Sequence, residues 1–150
     1  MATGLSITLR QAQMDYIFQG ATPTQPTTIA IGLKTADPGD DNSTGTEPSS
    51  TGSYGRVTFS AGTTNWNAST STAGSPATVT NKLAATFPAS TAAWSTTTTA
   101  LTYAILMSSA TLGSGTFYGR ASLTAGQTVN ASGITLSFAA SAFSWTNSFT

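Results

Sequence analysis

The chain has no cysteine and no histidine. The first absence removes disulfide frameworks, thiol nucleophiles and thiolate metal sites together. The second removes the side chain that most often moves protons near neutral pH and that most often binds transition metals. Charge is almost as scarce: Asp, Glu, Lys and Arg make up 7% of 150 residues, against about 25% in ordinary soluble domains. The five acids and five bases cancel, so no long-range field draws the chain to DNA, RNA or an anionic membrane, and neither nucleic acid nor membrane is expected as a partner. Long apolar runs are missing as well. The longest, Tyr103–Met107, falls far below the ~20 residues that cross a bilayer. Met1–Arg10 lacks a basic segment followed by the apolar stretch of a secretory leader, so synthesis and folding in a cytoplasm are expected.

What remains is hydroxyl-rich, with Ser and Thr filling about a third of the sequence. A neutral surface lacks the net charge that keeps monomers apart, so the composition favours a chain that assembles. At 150 residues one domain, 1–150, is expected, large enough to bury roughly two-thirds of its unfolded surface without disulfide or metal.

Leu5–Gln19 is the one segment with helical spacing. Ser6 or Thr8 is placed to cap it, Leu9, Ala12, Tyr16 and then Ile17 or Phe18 follow, and Gly20 can end it before Pro23 and Pro26. From Thr27 the period becomes two, with Ile29, Ile31 and Leu33 on one face and Ala30, Gly32 and Lys34 on the other, the pattern of a half-buried strand. The alternation returns at Val57 and Phe59, at Leu83, Ala85 and Phe87, at Leu101–Met107, at Phe117–Leu123, at Ile134, Leu136 and Phe138, and at Phe143 and Trp145. Such short strands, rich in Thr and aromatics, predict a mainly β fold: an antiparallel β-sandwich or jelly roll over about residues 27–150, with one N-terminal α-helix over about 5–20 that packs on an edge or serves a neighbour. Long loops are expected at Ala36–Ser53 and Ala61–Pro76, lengths uncommon in a compact domain unless the loop has a task. Tyr54-Gly-Arg56 and Tyr118-Gly-Arg120 share three residues about 64 positions apart, which in a low-complexity background reads as coincidence before it reads as a repeat.

Little in the sequence supports catalysis. Asp37, Asp40, Asp41 and Glu47, four of the five acids, share one loop. A Ca²⁺ loop of the EF-hand type alternates its oxygens around a central Gly, whereas here Pro38 and Gly39 follow the first Asp and the Glu comes too early. A solvated, turn-rich loop is expected, with no metal and no cofactor. Glycoside hydrolysis needs two carboxylates about 5–10 Å apart on a rigid scaffold, and Asp15 on the expected helix is the only acid outside that loop. A Ser or Thr nucleophile would need Lys34 or Lys82 as its base, and neither stands in a Ser-x-x-Lys arrangement. The chain is therefore not expected to be an enzyme. Trp66, Trp94, Trp145, Tyr16, Tyr54, Tyr103 and Tyr118 have faces on which sugars stack, although in a β core such rings more often pack. Arg56 and Arg120 suit a forked pair with a carboxylate, in this chain or in a neighbouring one. Asn42, Asn67 and Asn130 begin glycosylation-type triplets, as chance allows in so Ser- and Thr-rich a chain.

Several segments read together carry a resemblance. Gln11–Gly20, Ile31–Gly39, Thr46–Ser49 and Gly52–Phe59 combine a helix ending in Phe-x-Gly, a strand running into Thr-Ala-Asp-Pro, and a Glu-Pro-Ser segment followed by Tyr-x-Arg. Asn65-Trp66-Asn67, Ala84–Pro88, Trp94, Tyr103–Met107, Phe117–Gly119, Thr128–Asn130 and Ile134–Phe138 extend it over nearly the whole chain. The sequence resembles a family of phage virion proteins labelled tail-fibre, head-fibre or capsid-decoration proteins. It departs from that pattern at Ser108–Gly113, where an Asp-rich turn is replaced by an uncharged one.

The resemblance implies an oligomerising β-sandwich on a virion surface. The leading expectation is a decoration or cement protein on the outer capsid of a tailed phage, its copies (a trimer favoured) clamping adjacent major capsid subunits. The alternative is a host-recognition module of a head or tail fibre that grips glycans through the Trp66 loop. Interface energy concentrates in aromatic and Arg anchors, which makes Tyr16, Phe18, Tyr54, Arg56 and Trp66 the candidate interface residues.

Overall fold

The computed structural model describes residues 4–73, 75–95 and 98–147. Met1–Thr3 and Ser148–Thr150, the ends of the expected 1–150 domain, lie outside the described residues, as do Gly74 in the second expected loop and Thr96 and Thr97. The elements in chain order are β1 (Gly4–Leu5), α1 (Ile7–Gln19), β2 (Thr28–Lys34), β3 (Val57–Ser60), β4 (Ala77–Thr80), β5 (Ala85–Thr86), β6 (Leu101–Met107), β7 (Phe117–Gln127), β8 (Ser137–Phe138) and β9 (Ser144–Asn147). Five strands form one antiparallel sheet in the order β1-β7-β6-β2-β3, while β4 with β9 and β5 with β8 form two-stranded ribbons. The fold is mainly β with one α-helix among the described residues, and the ribbons close over one face of the sheet in a sandwich-like arrangement.

Aromatic alternation builds the space between these layers. Phe59, Trp66, Trp145, Phe143, Phe138, Phe87, Tyr54 and Trp94 make one unbroken chain of ring contacts, with successive centroids 4.8 to 6.2 Å apart. Ile31, Leu33, Leu101, Ala104 and Leu106 of the sheet pack into the same cluster. Edge-to-face and offset pairs at such distances contribute about 0.5–1.5 kcal/mol each beyond the area they bury. Asn81, fully buried beside them, is satisfied at both ends of its amide: Nδ2 donates to the carbonyls of Leu83 and Ala139, and Oδ1 accepts from the Phe143 amide.

The expected elements differ from the observed ones in four places. Leu5 lies in β1, where it pairs with Gly119, so α1 begins two residues later than the periodicity predicts. β4 lies in a Thr-rich stretch without large apolar residues and was not anticipated. β5 and β8 shrink to two residues each because only Ala85–Thr86 and Ser137–Phe138 keep ladder pairing. β2, expected to be half-buried, is buried on both faces from Ala30 to Lys34. On one side Ile31 and Leu33 meet the aromatic chain. On the other, Ala30 joins Ile105, Met107 and Phe117, and Gly32 lies directly under the Glu47 carboxylate, where even a Cβ would overlap it.

That second face is covered by the 36–53 loop, clasped in place by Arg56. Its Nε and Nη2 fork onto Glu47 at 2.8 and 2.7 Å, and its Nη1 donates to the carbonyls of Ser109, Thr111 and Ser114 at 2.7 to 3.0 Å. The Tyr54 hydroxyl donates to Glu47 at 3.1 Å while accepting from the Leu33 amide at 2.7 Å. Burial and the Glu47 charge together push the Tyr54 hydroxyl well above the usual phenol range. Lys34 completes the loop, its ammonium donating to the carbonyls of Asn42 and Thr44. The guanidinium is almost wholly shielded from water. Removing one member of so buried a pair typically costs about 3–5 kcal/mol, because the other charge is left unpaired. Arg56→Ala is expected to lower stability by that amount in urea unfolding, and Arg56→Lys to recover little of it, since an ammonium cannot make the fork. An unchanged unfolding midpoint for Arg56→Ala would show that the clasp does not hold the fold.

Candidate assembly surface

α1 is set by its ends. Ser6 adopts extended geometry and its hydroxyl accepts from the Leu9 amide at 3.2 Å, while Gly20 turns left-handed at φ 67 to stop the helix. The Ser6 amide donates to the Tyr118 carbonyl and the Ile7 amide to the Asp40 carbonyl. Further along, the Asn147 amide group donates to Gln13 Oε1 at 3.2 Å. Leu9, Ala12 and Gln13 are half-buried, but no residue of the helix is fully buried. Ile7, Met14, Tyr16, Ile17 and Phe18 are all exposed, and of these Phe18 is the most so at 74%. A monomer normally turns an apolar helical stripe toward its core, so such a run of exposed large side chains is a candidate contact surface.

A charge cluster fixes the base of the helix. Asp40 lies between Arg10 and Arg120, with one carboxylate oxygen 2.5 Å from each guanidinium. Arg120 Nε also approaches Asp37 to 2.9 Å, close enough for an ion pair but without the alignment of a hydrogen bond. The hydrogen bonds from Arg120 and then Arg10 hold the Asp40 carboxyl below its usual range. Each acid of this loop thus has a partner: Arg120 is shared by Asp37 and Asp40, Arg10 pairs with Asp40, Asp41 accepts from the Ser43 amide, and Glu47 holds Arg56. Among the described residues no three acidic, His or Cys side chains converge on a point.

The five candidate interface residues fall into two groups. Tyr16 and Phe18 are exposed on α1, whereas Tyr54, Arg56 and Trp66 are 3%, 8% and 9% exposed and have their partners inside the chain. Those three serve the fold: Arg56 and Tyr54 form the clasp, and Trp66 packs edge-on against Phe59 and Trp145. A shallow groove of about 300 Å³ runs past Trp66, Gln25, Pro26, Ile29 and Asn67, but the indole offers it little open ring. Ile7 and Met14 were missed by the sequence reading. The signal that would have found them is the spacing of seven from Ile7 to Met14 and four to Phe18, on the helix face away from Leu9. Among the described residues no helix is long and apolar enough to cross a membrane.

A family model described as podophage GP4 fiber I protein gp80 matches residues 4–146. None of the curated proteins matches the chain.

The Asp40 cluster makes the seating of α1 sensitive to acid. A carboxyl held below its unfolded value contributes stability that is fully present above about pH 3.9 and is lost as pH falls through the folded value. Hydrogen exchange should therefore show α1 amides losing protection below about pH 4 before the central strands do. Asp40→Asn should produce the same loss at neutral pH. Equal protection of α1 in that variant and the parent would mean that the cluster does not seat the helix.

Proposed function

The chain belongs to the podophage GP4 fiber I protein family, and from that premise we propose that it is a structural subunit of a fibre on the podophage virion, acting through contacts and not through catalysis. Membership makes it a virion structural protein. The observation that carries the finer reading is α1: a helix tied firmly to a β body at Ser6, Arg10 and Gln13, yet turning most of its large apolar side chains outward. A chain with 7% charged residues, most of them engaged with one another, has little repulsion to oppose close packing of copies.

The family description favours a fibre over a cement protein spread between major capsid subunits. Host recognition through Trp66 gains no support from the geometry, since that ring is committed to the core. The paired loop acids and the lack of His and Cys support a role without chemistry. Cryo-electron microscopy of the virion that carries this chain tests the reading by location. Density for the β body in discrete projecting fibres is the expected result. Copies distributed evenly over the icosahedral shell would overturn it in favour of cement.

A further inference from the structure

The outward face of α1 carries a pattern that the fold does not use. Ile7, Gln11, Met14 and Phe18 follow one another at spacings of four, three and four, which at about 100° per residue keeps all four within about 60° of arc. Ile7 and Met14 are 48% and 49% exposed, Phe18 is 74% exposed, and Gln11 is exposed between them. This is the spacing of a coiled-coil seam, with Ile7 and Met14 at d positions and Gln11 and Phe18 at a positions. In the same register Leu9, Ala12 and Gln13 fall on the far side, where they are half-buried against the chain's own β body.

The charges choose the partner and its direction. Arg10 falls at g and Asp15 at e, five residues later. In two parallel helices a g residue faces the e residue five positions on in the other helix, so Arg10 of one copy meets Asp15 of the next, opposite in sign. An antiparallel pair would instead set Arg10 beside Ile17 and Asp15 beside Thr8, with no complementarity. Both groups keep capacity for this contact: Arg10 uses one terminal nitrogen on Asp40, and Asp15 accepts from Gln19 with one of its two oxygens. The polar Gln11 at an a position is a register-setting residue of the kind that fixes alignment at some expense in stability.

We infer that α1 is the axial seam of a parallel homo-oligomer, with Ile7, Gln11, Met14 and Phe18 on the axis and an Arg10–Asp15 pair flanking it between neighbouring copies. At 13 residues the helix is too short to associate alone. It serves because Ser6, Arg10 and Gln13 pre-order it on the β body, and the bodies then radiate from the axis. The inference rests on the reading of the chain as an assembling fibre subunit, but it is decided on the purified full-length protein. A shell location on the virion would leave it standing, and a failed seam would leave the location unaffected.

The absence of native cysteine makes single-cysteine cross-linking unambiguous. In a parallel seam, Ile7→Cys links to itself across the axis on mild oxidation and so does Phe18→Cys, while a mixture of the two variants gives no preferential hetero-linked product. Light scattering should report an oligomer for the parent and a monomer for Met14→Glu/Phe18→Glu, with the thermal unfolding of the β body retained because neither side chain is buried. Asp15→Arg should weaken the association and flatten its dependence on salt. A parent that is monomeric at every accessible concentration would overturn the inference. So would cross-linking that appears only when the position 7 and position 18 variants are mixed, or an oligomer that survives the double Glu substitution.

Discussion

The forked ion pair between Arg56 and Glu47 is the contact on which the other features depend. It closes two loops, 36–53 and 108–116, over β2 and in doing so buries on both faces a strand that would otherwise face water on one. The cost of taking both charges out of water is offset by the completeness of the hydrogen bonding around them: two bonds within the fork, three loop carbonyls and the Tyr54 hydroxyl. The same loop then delivers Asp40 to Arg10 and Arg120. The clasp in the interior and the seating of the helix at the surface are therefore two ends of one segment.

This arrangement explains how so few charges are used. Three of the five bases, Arg10, Arg56 and Arg120, pair with acids of the one loop. Lys34 and Lys82 donate to backbone carbonyls, and burial lowers the Lys34 pKa below the usual ammonium range. The surface left over is hydroxyl-rich and nearly neutral. It presents little field to a polyanion and little obstacle to another copy of itself. The proposed assembly role thus draws on where the few ionic groups are placed.

Much of the fold was legible in the sequence because the signals were local. Ser6 and Gly20 bound the helix, period-two alternation located seven strands, and crowded turn residues marked both long loops. What escaped depended on distant partners. No local pattern announces that Gly32 must admit the Glu47 carboxylate or that Leu5 pairs with Gly119. The candidate interface divided along the same line. Tyr54, Arg56 and Trp66 have the residue types of interface anchors, but side-chain type does not reveal whether the partner is another chain or the same one. Tyr16 and Phe18 lie on a helix whose one-sided seating leaves them in solvent. The 4-3-4 spacing through Ile7, Gln11, Met14 and Phe18 was present to be read, but a reading anchored on Leu9, Ala12 and Tyr16 followed the opposite face, and of those three only Leu9 and Ala12 are half-buried.

The central claim is that this helix face is covered when the protein is in its working assembly and open when it is alone. Hydroxyl-radical footprinting of intact virions against the dilute purified chain measures it directly, because Met14 and Phe18 are reactive reporters on the seam and Leu83 is an exposed reporter outside α1. The account predicts strong protection of Met14 and Phe18 in the virion with Leu83 unchanged. Equal reactivity of Met14 and Phe18 in both samples would contradict it.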